Sequence, residues 1–346
     1  MSKLRVALAG AWHVHTRGFL AQTIKMYGDQ LEWAGVWDHD EARGKAYAEF
    51  LNTEYVADYQ TLLDDPTIEA ILCEAETNLH KDILVRAANA GKHVYTDKAL
   101  ATTVADGLLI KEAVERNGVK FCVSHESLPA AAYSFAKRTL DAGLLGDIVS
   151  ITFRRAHGLA KQENHLPKNW FSKEVAGGGA LIDLGVHGMS MLSHFCGKPK
   201  SICGFTHNFT GMETEDSATI LVQFENGALG TAHTDMVTNI MENSFEIVGT
   251  DGVLVVLGKE GFEYVQLNSK HVPGAENCMK VLTREDIGPD GVLPMCQFIG
   301  RVLDRENPDQ FIPGFDLNTG LSVVRIAEAA YESAATGKAV DFGNLW

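Results

Sequence analysis

Arg5-Val6-Ala7-Leu8-Ala9-Gly10-Ala11-Trp12-His13-Val14-His15 is the stretch on which the fold turns. Residues 5–9 read as a short apolar strand that stops at Gly10, and a helix-like segment runs from about Gly18 to Met26. The same rhythm repeats outward: strands at Leu31–Trp37, Glu69–Cys73, His93–Thr96 and Lys120–Val123 alternate with helical spacing at Glu41–Phe50, Lys81–Ala90 and Asp106–Asn117. Strands alternating with helices of this length predict parallel βαβ units and an open, doubly wound sheet. Ligands of such sheets bind beyond the carboxyl ends of the strands.

A chain of 346 residues exceeds one ordinary core, so two domains are expected, residues 1–123 and 124–346. After residue 123 the pattern changes to a helix (Ala131–Ala142), a strand (Ile148–Arg155) and, from Lys200, strand after strand. Asn226-Gly227 and Asp251-Gly252 each separate two alternating segments, the strongest short signal for a hairpin. The second domain is therefore expected to be α+β with a large, mostly antiparallel sheet. Helical spacing over Leu317–Thr336 ends at Gly337, and this helix could pack back on the first domain. The formal net charge of −15 argues against nucleic acid or an anionic membrane as partner. Six cysteines without a CxxC pair suit reduced thiols, and the N-terminal apolar run is too short for a signal peptide. With no membrane-spanning stretch in the sequence, a cytoplasmic location is expected.

Four places could carry chemistry. At the Gly10 loop a G-x-G-x-x-G fingerprint would need glycines where Trp12 and His15 stand, yet strand, loop and helix are in the right order for a diphosphate on a helix N-terminus. Asp38, closing the second strand, stands where an acidic residue binds adenosine ribose and repels a 2′-phosphate. His13 and His15 form an H-x-H pair, too few ligands for zinc, so no metal is expected. Lys98, just past a buried strand, could donate to a substrate oxygen or be an ordinary loop lysine. In Gly177-Gly178-Gly179-Ala180-Leu181-Ile182-Asp183-Leu184-Gly185-Val186-His187, Asp183 and His187 are spaced to share one helix face. Carboxylate and imidazole together could orient a hydroxyl and take its proton, or they could be a helix-end acid and a core histidine.

The last stretch resembles the second signature of the Gfo/Idh/MocA oxidoreductases, and Ala90-Gly91-Lys92-His93-Val94-Tyr95-Thr96-Asp97-Lys98-Ala99-Leu100 is similar to their first, A-G-K-H-V-x-x-E-K-P. Thr77-Asn78-Leu79-His80, Asn169-Trp170 and the Ser333-Ala334-Ala335-Thr336-Gly337-Lys338 stretch fit as well. The resemblance implies an NAD-binding Rossmann domain followed by an α/β domain whose open sheet forms dimers or tetramers. It implies Lys98 as catalytic lysine, Asp183 as substrate-binding acid and His187 as general base. On the cofactor side Gly10, Trp12, His13, His15 and Asp38 are expected, with Glu76, Asn78, His80, Asp97 and Lys98. Substrate is expected at His157, His165, Trp170, Asp183 and His233. Asp97 replaces the usual Glu and Ala99 the usual Pro. The implied reaction passes a hydride between nicotinamide, NAD rather than NADP, and a secondary alcohol of a sugar, glycoside or cyclitol. Two alternatives remain open: an NAD-recycling glycosidase or lyase working by transient oxidation and elimination, and a non-catalytic nucleotide-binding regulator.

Overall fold

The computed structural model describes residues 2–158, 166–167, 169–239, 243–259, 263–306 and 313–343. The chain divides into two compact units. The first comprises Met1–His125, Glu174–Gly177 and Val292–Leu321; the second comprises Glu126–Lys173, Gly178–Gly291 and Ser322–Trp346.

In the first unit the elements run β1 (Leu4–Ala9), α1 (Thr16–Tyr27), β2 (Leu31–Trp37), α2 (Glu41–Phe50), α3 (Tyr59–Asp64), β3 (Ala70–Cys73), α4 (His80–Asn89), β4 (His93–Thr96), α5 (Val104–Asn117) and β5 (Phe121–Val123). The sheet order is β2-β1-β3-β4-β5 and every pairing is parallel, as the alternating pattern predicts. Leu4, Val6, Ala7 and Leu8 of β1 and Ala70–Cys73 of β3 are buried, because helices cover both faces of such a sheet and leave no polar side. Thr103 caps α5 by accepting from the Asp106 amide, and Gly118 ends it at φ 62°, where glycine carries no Cβ penalty.

In the second unit α6 (Ala131–Asp141) and β6 (Ile148–Ala156) come first. The short α7 (Lys173–Ala176), whose residues from Glu174 on belong to the first unit, leads into the glycine-rich stretch, followed in the second unit by α8 (Ala180–Asp183) and α9 (Gly185–Cys196). The strands β7 (Pro199–His207), β8 (Ser217–Phe224), β9 (Leu229–Asp235), β10 (Asn243–Gly249), β11 (Gly252–Gly258), β12 (Tyr264–Ser269) and β13 (Lys280–Leu282) follow, then α10 (Arg284–Ile287). The chain returns to the first unit with α11 (Pro294–Leu303); α12 (Leu317–Thr336) crosses the division after Leu321 and leads to β14 (Val340–Asp341). The nine strands order as β13-β12-β11-β10-β6-β9-β8-β7-β14. All pairings are antiparallel except β6 with β9, and both expected hairpins form, β8 with β9 and β10 with β11.

Alternation gives this sheet one dry face. Phe153, Ile220, Val222, Phe245, Ile247 and Leu254 are buried on it, and α9 lies against β6 and β9. Contact there is close: a Cβ on Gly188 would stand 2.8 Å from the Ala232 Cβ. The opposite face carries Phe205, Leu221, Leu229 and Val281, joined by the register through Thr231, Thr152, Glu246, Val255 and Gln266. Phe205 is 72% exposed and Val281 60%. Among the described residues no single helix is long and apolar enough to cross a membrane.

Candidate active site

In the first unit the candidate cofactor residues gather at the ends of β1 to β4. Gly10 has φ 76°, and a Cβ there would stand 2.4 Å from the Ala75 Cβ, so the tight turn requires glycine. Glu74 O accepts from the amides of Trp12 (2.8 Å) and His13 (3.2 Å), which ties the loop to the end of β3. Helix α1 begins behind this loop with His15 at its N-cap and no side-chain cap bond. Turn, loop and uncapped helix end suit a dinucleotide diphosphate even without the second and third fingerprint glycines.

Asp38 is buried and fully engaged. Its Oδ2 accepts from Ala11 N (2.9 Å) and Arg43 Nε (2.7 Å). Its Oδ1 accepts from Asp40 N (2.8 Å) and Arg43 Nη2 (2.7 Å). Arg43 also donates to Glu76 at 3.0 Å, and His39 lies 3.5 Å from the same carboxylate. A carboxylate offers about four acceptor positions, so Arg43 must yield one before Asp38 can accept a ribose hydroxyl. Sequence reasoning missed Arg43, although its place on the α2 turn after Asp38 was the available signal.

His80 serves the loops: its Nδ1 lies 2.9 Å from Ala99 O and its Nε2 3.1 Å from Ala75 O, and burial holds the ring below its usual pKa. Asp97 Oδ1 accepts from the Lys98 amide (2.6 Å), and Oδ2 stands 2.8 Å from His13 Nδ1. Burial lowers the His13 pKa, and its Nδ1 accepts from the His15 amide at 3.3 Å. The H-x-H pair thus gains a third possible ligand that spacing did not reveal. Ligand atoms of His13, His15 and Asp97 lie within 4.8 Å of one another. Lys98 is buried and followed by a cis peptide to Ala99, and Asn78 sits in the short helical turn before α4.

In the second unit the glycines serve close approach. A Cβ on Gly179 would stand 1.9 Å from Glu215 O, and one on Gly178 2.0 Å from the Tyr331 hydroxyl. Glu215 Oε1 accepts from Gly179 N (3.0 Å), Leu181 N (2.9 Å) and Tyr331 Oη (2.8 Å), so one carboxylate anchors the loop and the start of α8. The shared helix expected for Asp183 and His187 is corrected here. Leu184 interrupts it, ending α8 and beginning α9, so the two side chains belong to successive helices. Asp183 Oδ2 accepts from Trp170 Nε1 at 3.0 Å, which brings two of the expected residues together.

His187 is buried on α9, with Nδ1 3.2 Å from Ser127 Oγ and Nε2 3.6 Å from Glu126 Oε1. His233 bonds Thr219 (2.8 Å) and Asp235 (3.3 Å) on the sheet, and the His157 amide donates to Asp235 O. His165 lies outside the described residues.

Residues 4–125 match the model of the oxidoreductase family with an NAD-binding Rossmann fold, and residues 133–255 match that of the GFO/IDH/MocA C-terminal domain. The chain is 26% identical to levoglucosan dehydrogenase of Pseudarthrobacter phenanthrenivorans, over 58% of each protein. It is 29% identical to 1,5-anhydro-D-fructose reductase of Ensifer adhaerens, over 62% of this chain and 64% of that one. The matches thus span about three fifths of these relatives' lengths. A solved levoglucosan dehydrogenase, in complex with NADH and levoglucosan, superposes with a TM-score of 0.86 at 20% identity, covering 99% of this chain and 100% of that one.

Proposed function

We propose, because this chain belongs to the Gfo/Idh/MocA oxidoreductase family, that it is an NAD-dependent dehydrogenase of a secondary alcohol in a sugar, glycoside or cyclitol. The observation that carries the reading is where the three reactive residues fall. Lys98 lies within the matched Rossmann region, and Asp183 and His187 lie within the matched C-terminal region. A levoglucosan dehydrogenase and an anhydrofructose reductase among the relatives support the substrate class.

NAD, when bound, supplies the acceptor of the hydride. In the proposed division of labour Gly10 and the loop through His15 cradle its diphosphate, while Asp38 and Glu76 face its adenosine end. His187 takes a hydroxyl proton, Lys98 hydrogen-bonds a substrate oxygen as it gains charge, and Asp183 holds a substrate hydroxyl. The outward sheet face with Phe205, Leu221, Leu229 and Val281 supports assembly into a homodimer or homotetramer.

Screening sugars, anhydrosugars and cyclitols with NAD and NADP, followed by absorbance of the reduced nicotinamide, tests the reading. Net cofactor reduction with a polyol is expected. Glycosidic cleavage without reduced cofactor, or no turnover of any polyol, would refute it.

A further inference from the structure

His187 sits in a cluster of four polar groups drawn from three parts of the second unit. Glu126 and Ser127 lie on the segment before α6, Arg155 on β6 and His187 on α9. Arg155 Nη1 donates to Ser127 Oγ at 2.6 Å, and that oxygen stands 3.2 Å from His187 Nδ1. Glu126 Oε1 lies 3.6 Å from His187 Nε2 and 3.5 Å from Arg155 Nη2. The His187 side chain is 1% exposed, that of Glu126 9% and that of Arg155 13%, so the cluster opens on the side of Glu126 and Arg155 and buries the imidazole.

A serine oxygen has two lone pairs and one proton. Arg155 occupies one lone pair and fixes the oxygen in place; the second can accept Nδ1–H from the imidazole. The proton of a neutral histidine is assigned by the bond its other nitrogen makes, and a proton on Nδ1 leaves Nε2 as the base. We propose, resting on the dehydrogenase reading above, that Ser127 and Glu126 are positioning residues of His187. Ser127, held by Arg155, keeps the proton on Nδ1, and Glu126 stabilises the imidazolium that forms when Nε2 takes the substrate's hydroxyl proton.

The step balances. The substrate O–H bond breaks and its proton joins Nε2, while the electron pair left on oxygen closes the carbonyl. The C–H bond breaks and its hydride, with two electrons, reduces NAD. The imidazolium then returns its proton to solvent past Glu126. Of the other charged groups on the elements packed against α9, Asp183 on α8 accepts from Trp170, His233 pairs with Asp235 on β9, and Arg154 on β6 stands beside His233 on the sheet's opposite face. Arg155 on β6 opposes the carboxylate's effect but is bound to Ser127 and Glu126.

Nitrogen-15 NMR of histidine-labelled protein, with the His187 signals assigned by their loss in His187→Asn, tests this without turnover. At alkaline pH the signals should show Nδ1 protonated and Nε2 bare. The reverse tautomer would overturn the proposal. In Glu126→Gln the imidazole titration and the acid limb of kcat/KM should both move about one pH unit toward acid, because a charge at this distance is removed. Glu126→Asp should restore much of the native profile. Ser127→Ala should lower kcat by about tenfold with KM for NAD unchanged, and Ser127→Thr should recover it. If Glu126→Gln titrates as the native protein does, Glu126 has no such role. If the native enzyme oxidises no polyol, the dehydrogenase reading falls while the NMR still decides the tautomer.

Discussion

His187→Ala is expected to lower kcat by about 10²–10⁴-fold, the range for loss of a positioned general base, with NAD binding little changed. Steady-state kinetics alongside a cofactor titration check this, and near-native turnover would remove His187 from the chemistry. Arg43 makes a second residue-scale case. Its guanidinium fills two of the acceptor positions on Asp38 and also pairs with Glu76, and a 2′-phosphate on a ribose bound at Asp38 would compete for it. Arg43→Ala should therefore leave NAD binding intact or tighter and weaken NADP. Fluorescence titration with both cofactors reads the ratio, and an unchanged ratio would place Arg43 away from the adenosine. Asp38 as an acidic residue at the end of a strand was visible in the sequence. That its carboxylate is saturated was not, because saturation depends on which rotamer a residue one helical turn later adopts.

Elements carry the stability predictions. Glu215 takes three donors on one oxygen, so Glu215→Gln should weaken the junction at α8 by about 1–3 kcal/mol, measured as a lower denaturant midpoint. Tyr331→Phe should do less, since it removes one donor of the three; equal stability in both variants would mean the junction is held elsewhere. The ladders of the first unit predict an acid response. Burial lowers His13 and His80, and pushes His93, next to Lys120, down to about 4. His93 Nδ1 accepts from the Lys120 amide at 3.0 Å, a bond available only to the unprotonated nitrogen. His93 stays neutral in the folded chain to about pH 4, and His13 and His80 take up protons only below their usual value. The unfolded chain binds protons from about pH 6.5 downward. Stability should thus be flat above that value and fall steadily toward about pH 4. Urea midpoints across this window check the sign, and His93→Gln should flatten the slope. The hairpins at Asn226-Gly227 and Asp251-Gly252 were legible because a two-residue turn restricts what its own residues can be. The break at Leu184 was not, because Ala180–His187 has continuous helical spacing and the interruption arises in the folded protein.

At the scale of the whole molecule, the nine-stranded sheet sets the question of assembly. Leu221→Lys and Phe205→Lys place charges on its outward apolar face without touching the buried one. Sedimentation velocity should show the native protein as a dimer or tetramer and the double variant shifted toward the 37.7 kDa chain. A native monomer would leave that face with another purpose. The sequence by itself determined the parallel sheet and the antiparallel sheet after it, and it singles out Lys98, Asp183 and His187 as the proposed reactive residues, because each of these is written in local periodicity or contiguous motif. The tertiary structure alone decided that Arg43 saturates Asp38, that Glu215 and Tyr331 anchor the glycines, and that Ser127, Glu126 and Arg155 surround His187. Those partners lie from five to more than a hundred residues away along the chain. No period connects them, and only packing brings a polar group to the one place where a buried partner needs it.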